Sequence, residues 1–374
     1  MEKDFDIVEA QHSVRILFAG GGTGGHLFPA LAIADEIKKL SPNAYIAFAG
    51  TKKKIEARVV PEKGYAFHTI WISGFHRRLT IDNMLFPLKV IVSVIQSFFL
   101  IRKFQPNIVV GTGGYVCGPV LFMASLFNIP TVVHESNSYP GVTTRMLASR
   151  VSKIFITFDI TKQWLKAKAG NIELVGNPTR AVLGTISHED GIRYFNLDPS
   201  KKTLFVFGGS LGAASINRAI KKNVSNLVRN GIQLVWQTGE RDFANIQSSV
   251  STDGIWIGKF IDAMEYAYAA ADVVLCRAGA TTIAELTRIG KQAILVPLPS
   301  AAANHQETNA HTLMESNAAV VIHDSELEVK ALETIKELCT DGPRRAAMSE
   351  ASRKLGKPNA GEEIARRILN LAKQ

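Results

Sequence analysis

RILFAGGGTGG, residues 15–25, and TLFVFGGSLGA, residues 203–213, follow one pattern. Each is a short apolar run that stops at clustered glycines and is followed by an amphipathic stretch. A buried strand, a glycine turn and a helix start make the first βα unit of a doubly wound domain. The pattern begins again at Thr203, so the sequence predicts two Rossmann-like α/β domains rather than one. A chain of 374 residues suits that reading, since single domains commonly hold roughly 100–200 residues.

Outward from these two stretches, strand-like runs lie at 45–49 (YIAFA), 107–111 (NIVVG), 131–134 (TVVH) and 153–157 (KIFIT). A second series comprises 232–236 (IQLVW), DVVLC from Asp272, and 293–297 (AILVP). Helical periodicity fills the intervals, for example at 27–40, 213–229, 281–289 and 306–316. Continuous apolar strands alternating with helices imply parallel sheets covered on both faces. Gly and Pro punctuate the chain at GNPTR (176–180), which places a hinge near Asn177 and Pro178. The expected organisation is a tail over 1–12, a first Rossmann-like domain over 13–177 and a second over 178–354. A C-terminal helix in 355–374 is expected to pack back on the first domain.

Apolar residues make up 46% of the chain and the mean hydropathy is +0.08, enough for two cores. Lys and Arg outnumber Asp and Glu by 43 to 33, a formal charge of +10 with a pI near 9.4. Such a balance suits nucleic acid, anionic lipid or a phosphorylated ligand, or serves solubility alone. The sequence has no arginine-rich arm, zinc spacing or aromatic–basic interleaving, so nucleic acid is not expected as a partner. Cys117, Cys276 and Cys339 are widely spaced and odd in number, which fits a reducing compartment. Without Cys-x-x-Cys or His-Glu-x-x-His, neither a metal nor another cofactor is expected. Residues 1–12 lack the apolar core of a signal peptide, so a cytoplasmic location follows.

The segment MLFPLKVIVSVIQSFFLI, residues 84–101, is apolar enough to raise the question of a membrane. Lys89, Ser93 and Gln96 draw a polar stripe along one helix face, which a spanning helix does not need. Pro87 sits near its start, and Arg102 and Lys103 follow it. Two readings remain: a largely buried helix, or one whose outer face rests in a bilayer surface.

The glycine turns suggest anion contacts. In 20–26 the glycines permit close backbone approach, and the helix start offers free N–H groups to a negative charge. The dinucleotide fingerprint would also need an acid at the tip of the second strand. That tip reads Ala49-Gly50-Thr51-Lys52, so nicotinamide dinucleotides are disfavoured. In the second turn Ser210 is placed to meet a phosphate, but no Gly-Lys-Ser/Thr follows, which excludes a P-loop. In Arg277–Glu285, a third turn, the N–H groups of Ala280, Thr281 and Thr282 would face a pyrophosphate. Glu285 either accepts from ribose hydroxyls or complements the helix dipole. His134-Glu135-Ser136-Asn137 and Asn304-His305-Gln306-Glu307 are polar clusters at strand ends, where ligands of parallel sheets sit, though Ser136 and Asn304 are also good helix caps.

GGGTGGHLFPALAIA, GTGGYVCGP, HESNSYPG, GNPTR, FGGSLGA, CRAGATTIAEL and NHQETNA together resemble one family in order, over roughly residues 14–370. It is the MurG family of UDP-N-acetylglucosamine:N-acetylmuramyl-(pentapeptide) pyrophosphoryl-undecaprenol N-acetylglucosaminyltransferases, which act in peptidoglycan synthesis. The resemblance implies a GT-B fold, two Rossmann-like domains facing across a cleft. UDP-GlcNAc would be held mainly by the second domain and the lipid-linked muramyl-pentapeptide acceptor by the first. It also implies an inverting transfer of GlcNAc without a required metal. Carried over by motif, Thr23, Gly24 and Gly25 contact the sugar-phosphate end of the donor, and Asn137 touches its sugar. Arg180 and the backbone of Ile261 lie at the uridine end, Ser210 meets the phosphates, Ala280 to Thr282 cap the pyrophosphate and Glu285 holds the ribose. Gln306 reads the GlcNAc hydroxyls with His305 beside it, and Tyr115 lines the acceptor side. The chain departs from the family pattern at Ala303, Ser136 and Leu211, where Asp, Gln and Gln are usual.

An inverting transfer needs a base for the acceptor hydroxyl. His26 is the first choice, since an imidazole with its ordinary pKa of about 6.5 suits proton removal at neutral pH; it could instead contact the acceptor pyrophosphate. Glu135 competes as the base. A lipid-linked acceptor makes the 84–101 helix, with its basic flank, the docking candidate for an anionic membrane, at the cytoplasmic face of the inner membrane. Other cell-wall synthesis proteins are possible partners. A diacylglycerol glycosyltransferase would share the donor loops but not GTGGYVCGP and HESNSYPG. A UDP-GlcNAc 2-epimerase would need acid–base carboxylates near the sugar, and a non-catalytic UDP-sugar binder is a further alternative.

Overall fold

The computed structural model describes residues 13–74, 84–209, 211–250, 253–299, 301 and 304–373. The chain divides into two units, one of Met1–Pro178 with Pro358–Gln374, the other of Thr179–Lys357.

The first unit runs β1 (Arg15–Gly20), α1 (Gly24–Leu40), β2 (Tyr45–Gly50), α2 (Glu56–Glu62), β3 (Ala66–Thr69), α3 (Phe86–Phe104) and β4 (Ile108–Gly113). It continues with α4 (Cys117–Leu126), β5 (Thr131–Glu135), α5 (Val142–Leu147), β6 (Lys153–Ile156) and β7 (Ile172–Leu174). The strands form one parallel sheet in the order β3-β2-β1-β4-β5-β6-β7. Both faces are covered, which is why β1 shows no polar alternation. Ile16 and Phe18 face α1 residues Leu27, Ile33 and Ile37, while Leu17 and Ala19 share the opposite core with Val120 and Leu121 of α4.

Helix α3 is turned inside out. Lys89, Ser93 and Ser97 are buried, whereas Leu88, Ile91, Ile95, Phe98 and Phe99 are exposed, Ile91 at 58%. The buried polar atoms are satisfied locally. The Ser93 and Ser97 hydroxyls donate to the Val90 and Ser93 carbonyls, and the Lys89 ammonium donates to Ser73 Oγ at 2.9 Å. The helix is therefore not largely buried, and its apolar side faces outward. Among the described residues no helix is long and apolar enough to cross a membrane.

The second unit runs α6 (His188–Tyr194), β8 (Lys202–Phe207), α7 (Ala214–Arg229), β9 (Ile232–Gln237), α8 (Glu240–Gln247), β10 (Ile255–Gly258) and α9 (Met264–Ala270). It continues with β11 (Val273–Cys276), α10 (Ala280–Ile289), β12 (Ala293–Leu295), α11 (His305–Glu315), β13 (Ala319–Val321), α12 (Leu327–Thr340) and α13 (Gly342–Leu355). Its parallel sheet has the order β10-β9-β8-β11-β12-β13, the same winding as the first. The last helix, α14 (Ala360–Leu371), belongs to the first unit. It packs on α1, and its Ile364, Ala365 and Ile368 enter the core around Ile16 and Phe18.

Candidate active site

In each sheet the winding reverses beside the first strand, between β1 and β4 and between β8 and β11. Ligands of open parallel sheets sit at such a switch point, beyond the carboxyl ends of the strands.

In the first unit the turn after β1 carries four of the expected residues. Thr23 caps α1 in an extended conformation, and its carbonyl accepts from the His26 and Leu27 N–H groups at 3.2 Å. Thr23 and Gly25 are exposed, with Gly24 and His26 half-buried. The His26 ring is held by Nδ1, 3.1 Å from the Gly21 carbonyl oxygen and 3.4 Å from Thr23 Oγ1. Its other edge lies on the turn after β4. A Cβ at Gly113 would come within 2.7 Å of His26 Cδ2, and one at Gly114 would strike the Gly21 carbonyl oxygen at 2.5 Å. Both glycines have positive φ, so this ring seat needs glycine for backbone and for space. Tyr115, the next residue, is exposed, and the end of its ring lies over Gly74.

Glu135 ends β5, and its carboxylate is fully engaged. Oε1 accepts from the Asn137 N–H and side-chain amide, both at 3.1 Å, and Oε2 from the Gly141 N–H at 3.0 Å and the Thr144 hydroxyl at 2.7 Å. These bonds shape the loop that presents Asn137, which is half-buried. His134 is buried beside it, with Nε2 3.0 Å from the Gly176 carbonyl oxygen, and burial pushes its pKa down to about 4. Ser136 donates to Asn177 Oδ1 at 3.1 Å.

In the second unit Ser210 lies outside the described residues, as does Ala303. The side-chain amide of buried Gln237 donates to the Gly209 carbonyl at 3.0 Å and accepts from the Ile261 N–H at 2.8 Å. The Ile261 N–H is thus already engaged within the unit. Helix α10 starts at Ala280 behind Gly279, and among the described residues no side chain caps it. The N–H groups of Ala280, Thr281 and Thr282 belong to its first turn, where no preceding helical carbonyl is available. Glu285, one turn on, is buried and accepts from the Arg180 guanidinium at 3.2 Å and the Tyr268 hydroxyl at 2.9 Å. Gln306 lies in the first turn of α11, after His305, and accepts from the Leu298 N–H at 3.0 Å. Arg277 is structural here: it donates to the Val296 and Pro297 carbonyls, Asp324 and Ser215.

Each unit therefore gathers its own share of the expected residues at the carboxyl ends of its strands. Glu56, the Gly113–Gly114 seat, Gln237 and Tyr268 were not anticipated. Only the paired glycines of GTGG gave a sequence signal; the others are single polar residues that acquire partners through folding.

Two parallel-sheet α/β units with glycine turns at their switch points are the architecture of the GT-B glycosyltransferases, and the chain is one of them. Residues 16–156 match the glycosyltransferase family 28 N-terminal domain and residues 203–364 its C-terminal domain. Curated relatives align over nearly the whole chain. The UDP-N-acetylglucosamine--N-acetylmuramyl-(pentapeptide) pyrophosphoryl-undecaprenol N-acetylglucosamine transferases of Prosthecochloris aestuarii and Chlorobaculum parvum are 41% and 43% identical, covering 96% of this chain and 99% and 100% of theirs. The chain belongs to this MurG transferase family. Among solved structures, MurG of Acinetobacter baumannii superposes with a TM-score of 0.72 at 23% identity, covering 96% of this chain and 99% of that one. The calicheamicin glycosyltransferase CalG4 reaches 0.69 at 14% identity, with 96% and 99% covered, a likeness of fold.

Proposed function

We propose that this chain transfers GlcNAc from UDP-GlcNAc to the muramyl sugar of undecaprenyl-pyrophosphoryl-MurNAc-pentapeptide, with inversion at the anomeric carbon. Identity above 40% along almost the full length of transferases named for this reaction carries the reading. The acceptor hydroxyl gives its proton to His26 Nε2 as its oxygen bonds to the sugar C1. The C1–oxygen bond to the phosphate breaks, and UDP leaves with the electron pair. Charge growing on UDP is met by the N–H groups of Ala280, Thr281 and Thr282 and the positive end of α10. Ser210 adds a hydroxyl at the phosphates. Glu285 takes the ribose hydroxyls, Arg180 and the Ile261 backbone the uridine end, and Gln306 the GlcNAc hydroxyls. Thr23, Gly24, Gly25, Asn137 and Tyr115 act from the first unit.

His26 is favoured over Glu135 as the base because Glu135 already serves four donors, whereas the His26 ring is tied at Nδ1. The outward apolar face of α3 supports docking on the cytoplasmic face of the inner membrane. Exposed Arg102 and Lys103 close that helix, and Phe98 leans on Phe127 at 5.7 Å, which widens the apolar surface. The test is UDP release from UDP-GlcNAc with and without a muramyl-pyrophosphoryl-lipid analogue. Release that depends on the acceptor is expected, and acceptor-independent turnover would reject the assignment.

A further inference from the structure

A single peptide group joins two side chains of opposite chemistry. The Gly22 N–H donates to Glu56 Oε2 at 2.9 Å, and the Gly21 carbonyl of that same peptide lies 3.1 Å from His26 Nδ1. A carbonyl only accepts, so Nδ1 carries the proton in this contact. Nε2 is then the lone-pair nitrogen of the neutral ring.

Glu56 opens α2 and is fully buried, 0% exposed. Its other oxygen accepts from the Thr51 N–H at 3.0 Å and the Thr51 hydroxyl at 2.7 Å. Among the described residues no Lys, Arg or His forms an ion pair with it, and all three contacts are donors. Three donors on both oxygens call for a group that accepts at each, and no cation offsets the burial of its charge. The backbone is shaped around it: a Cβ at Gly21, whose φ is +151°, would lie 2.5 Å from the Glu56 carboxyl carbon.

We propose that Glu56 is a positioning residue for His26 and acts through the Gly21–Gly22 peptide. A negative charge at the N–H end of an amide polarises it and strengthens its carbonyl as an acceptor. The strengthened carbonyl selects the Nδ1–H tautomer and aims Nε2 outward. When Nε2 takes a proton, the positive ring is met by the Gly21 oxygen, with the carboxylate behind it. The glycine seat at 113–114 holds the ring from its other edge. A carboxylate commonly orients a catalytic histidine by direct contact; here one peptide stands between them. The proposal rests on His26 serving as the base, but the tautomer it requires is measurable without turnover.

The test is ¹⁵N NMR of the histidine side chains of the full chain at a pH where the rings are neutral, on the wild type and Glu56→Gln, with steady-state rates for both. The wild type is expected to show His26 as the Nδ1–H tautomer. Glutamine has one acceptor oxygen, so it can serve Gly22 or the Thr51 pair but not both. Glu56→Gln should therefore shift His26 toward the Nε2–H form and lower kcat by about 10–100-fold, with the KM for UDP-GlcNAc within about twofold. A wild-type His26 in the Nε2–H form overturns the proposal even if the variant fails to fold. An unchanged tautomer and kcat in a folded Glu56→Gln overturn it as well. Near-normal turnover of His26→Ala would reject the base and, with it, the catalytic purpose of the relay, while the NMR separately decides whether the relay exists.

Discussion

The guanidinium of Arg180 donates to Glu285 Oε1 at 3.2 Å, so two residues from distant parts of the chain, both assigned to the uridine end of the donor, hold one another. Tyr268 donates to the other oxygen, and its hydroxyl pKa is raised well above the ordinary value, by burial first and then by the Glu285 charge. Glu285→Gln should raise the KM for UDP-GlcNAc by roughly 10–100-fold with a smaller change in kcat, the scale of one or two lost hydrogen bonds to a charged acceptor. Initial rates at varied donor check it, and a KM within twofold of wild type would remove Glu285 from the ribose.

His26→Ala removes the proposed base and leaves the second unit untouched. Turnover should fall by about 10²–10⁴, while equilibrium binding of UDP stays near wild type. Isothermal titration alongside rate measurements separates the two quantities.

Glu135→Ala leaves the Asn137, Gly141 and Thr144 donors without their acceptor inside a packed loop. The loss should reach roughly 2–5 kcal/mol, seen as a lower midpoint in urea unfolding. A variant with wild-type stability and no activity would instead favour Glu135 as the base.

His134 gives stability a pH dependence of definite sign. Burial lowers its pKa from 6.5 to about 4, against the opposing pulls of the Gly176 carbonyl and Glu135. Between those values the unfolded chain binds more protons than the folded one, so stability is lost as pH falls, by up to about 3 kcal/mol. His134→Gln should flatten that part of the profile, as read from urea midpoints at pH 7 and pH 4.5.

For the surface of α3, replacing exposed Ile91, Ile95 and Phe99 together by Ser should reduce sedimentation with anionic vesicles several-fold and leave the melting temperature almost unchanged, since these side chains face outward. An unchanged bound fraction would reject α3 as the docking face.

Much of the fold was legible because its central strands are continuous apolar runs ending in glycine. The strands that escaped notice, β3, β7, β10 and β13, are the edges of the two sheets. These edge strands are only three or four residues long, and β3 and β7 carry polar or half-buried residues such as His68 and Glu173, so they give a weaker signal than the central strands. The polar stripe of α3 was visible too, but periodicity gives a stripe without its direction, and only packing shows that Lys89 and Ser93 point inward. Motifs located the glycine turns and Glu285. They were silent on Glu56, because a lone carboxylate in KKKIEAR reads as solvated until the chain brings Gly22 to it.

The position of α14 also sets an order of events during synthesis. Ile364, Ala365 and Ile368, which cover part of the apolar side of α1, follow it in the chain only after the whole second unit. At ordinary translation speeds the nascent first unit waits on the order of tens of seconds for that cover. Throughout the delay the part of its core that Ile364, Ala365 and Ile368 cover is unsealed apolar surface. A ribosome stalled anywhere in the second unit would leave a defect in the half of the enzyme already translated.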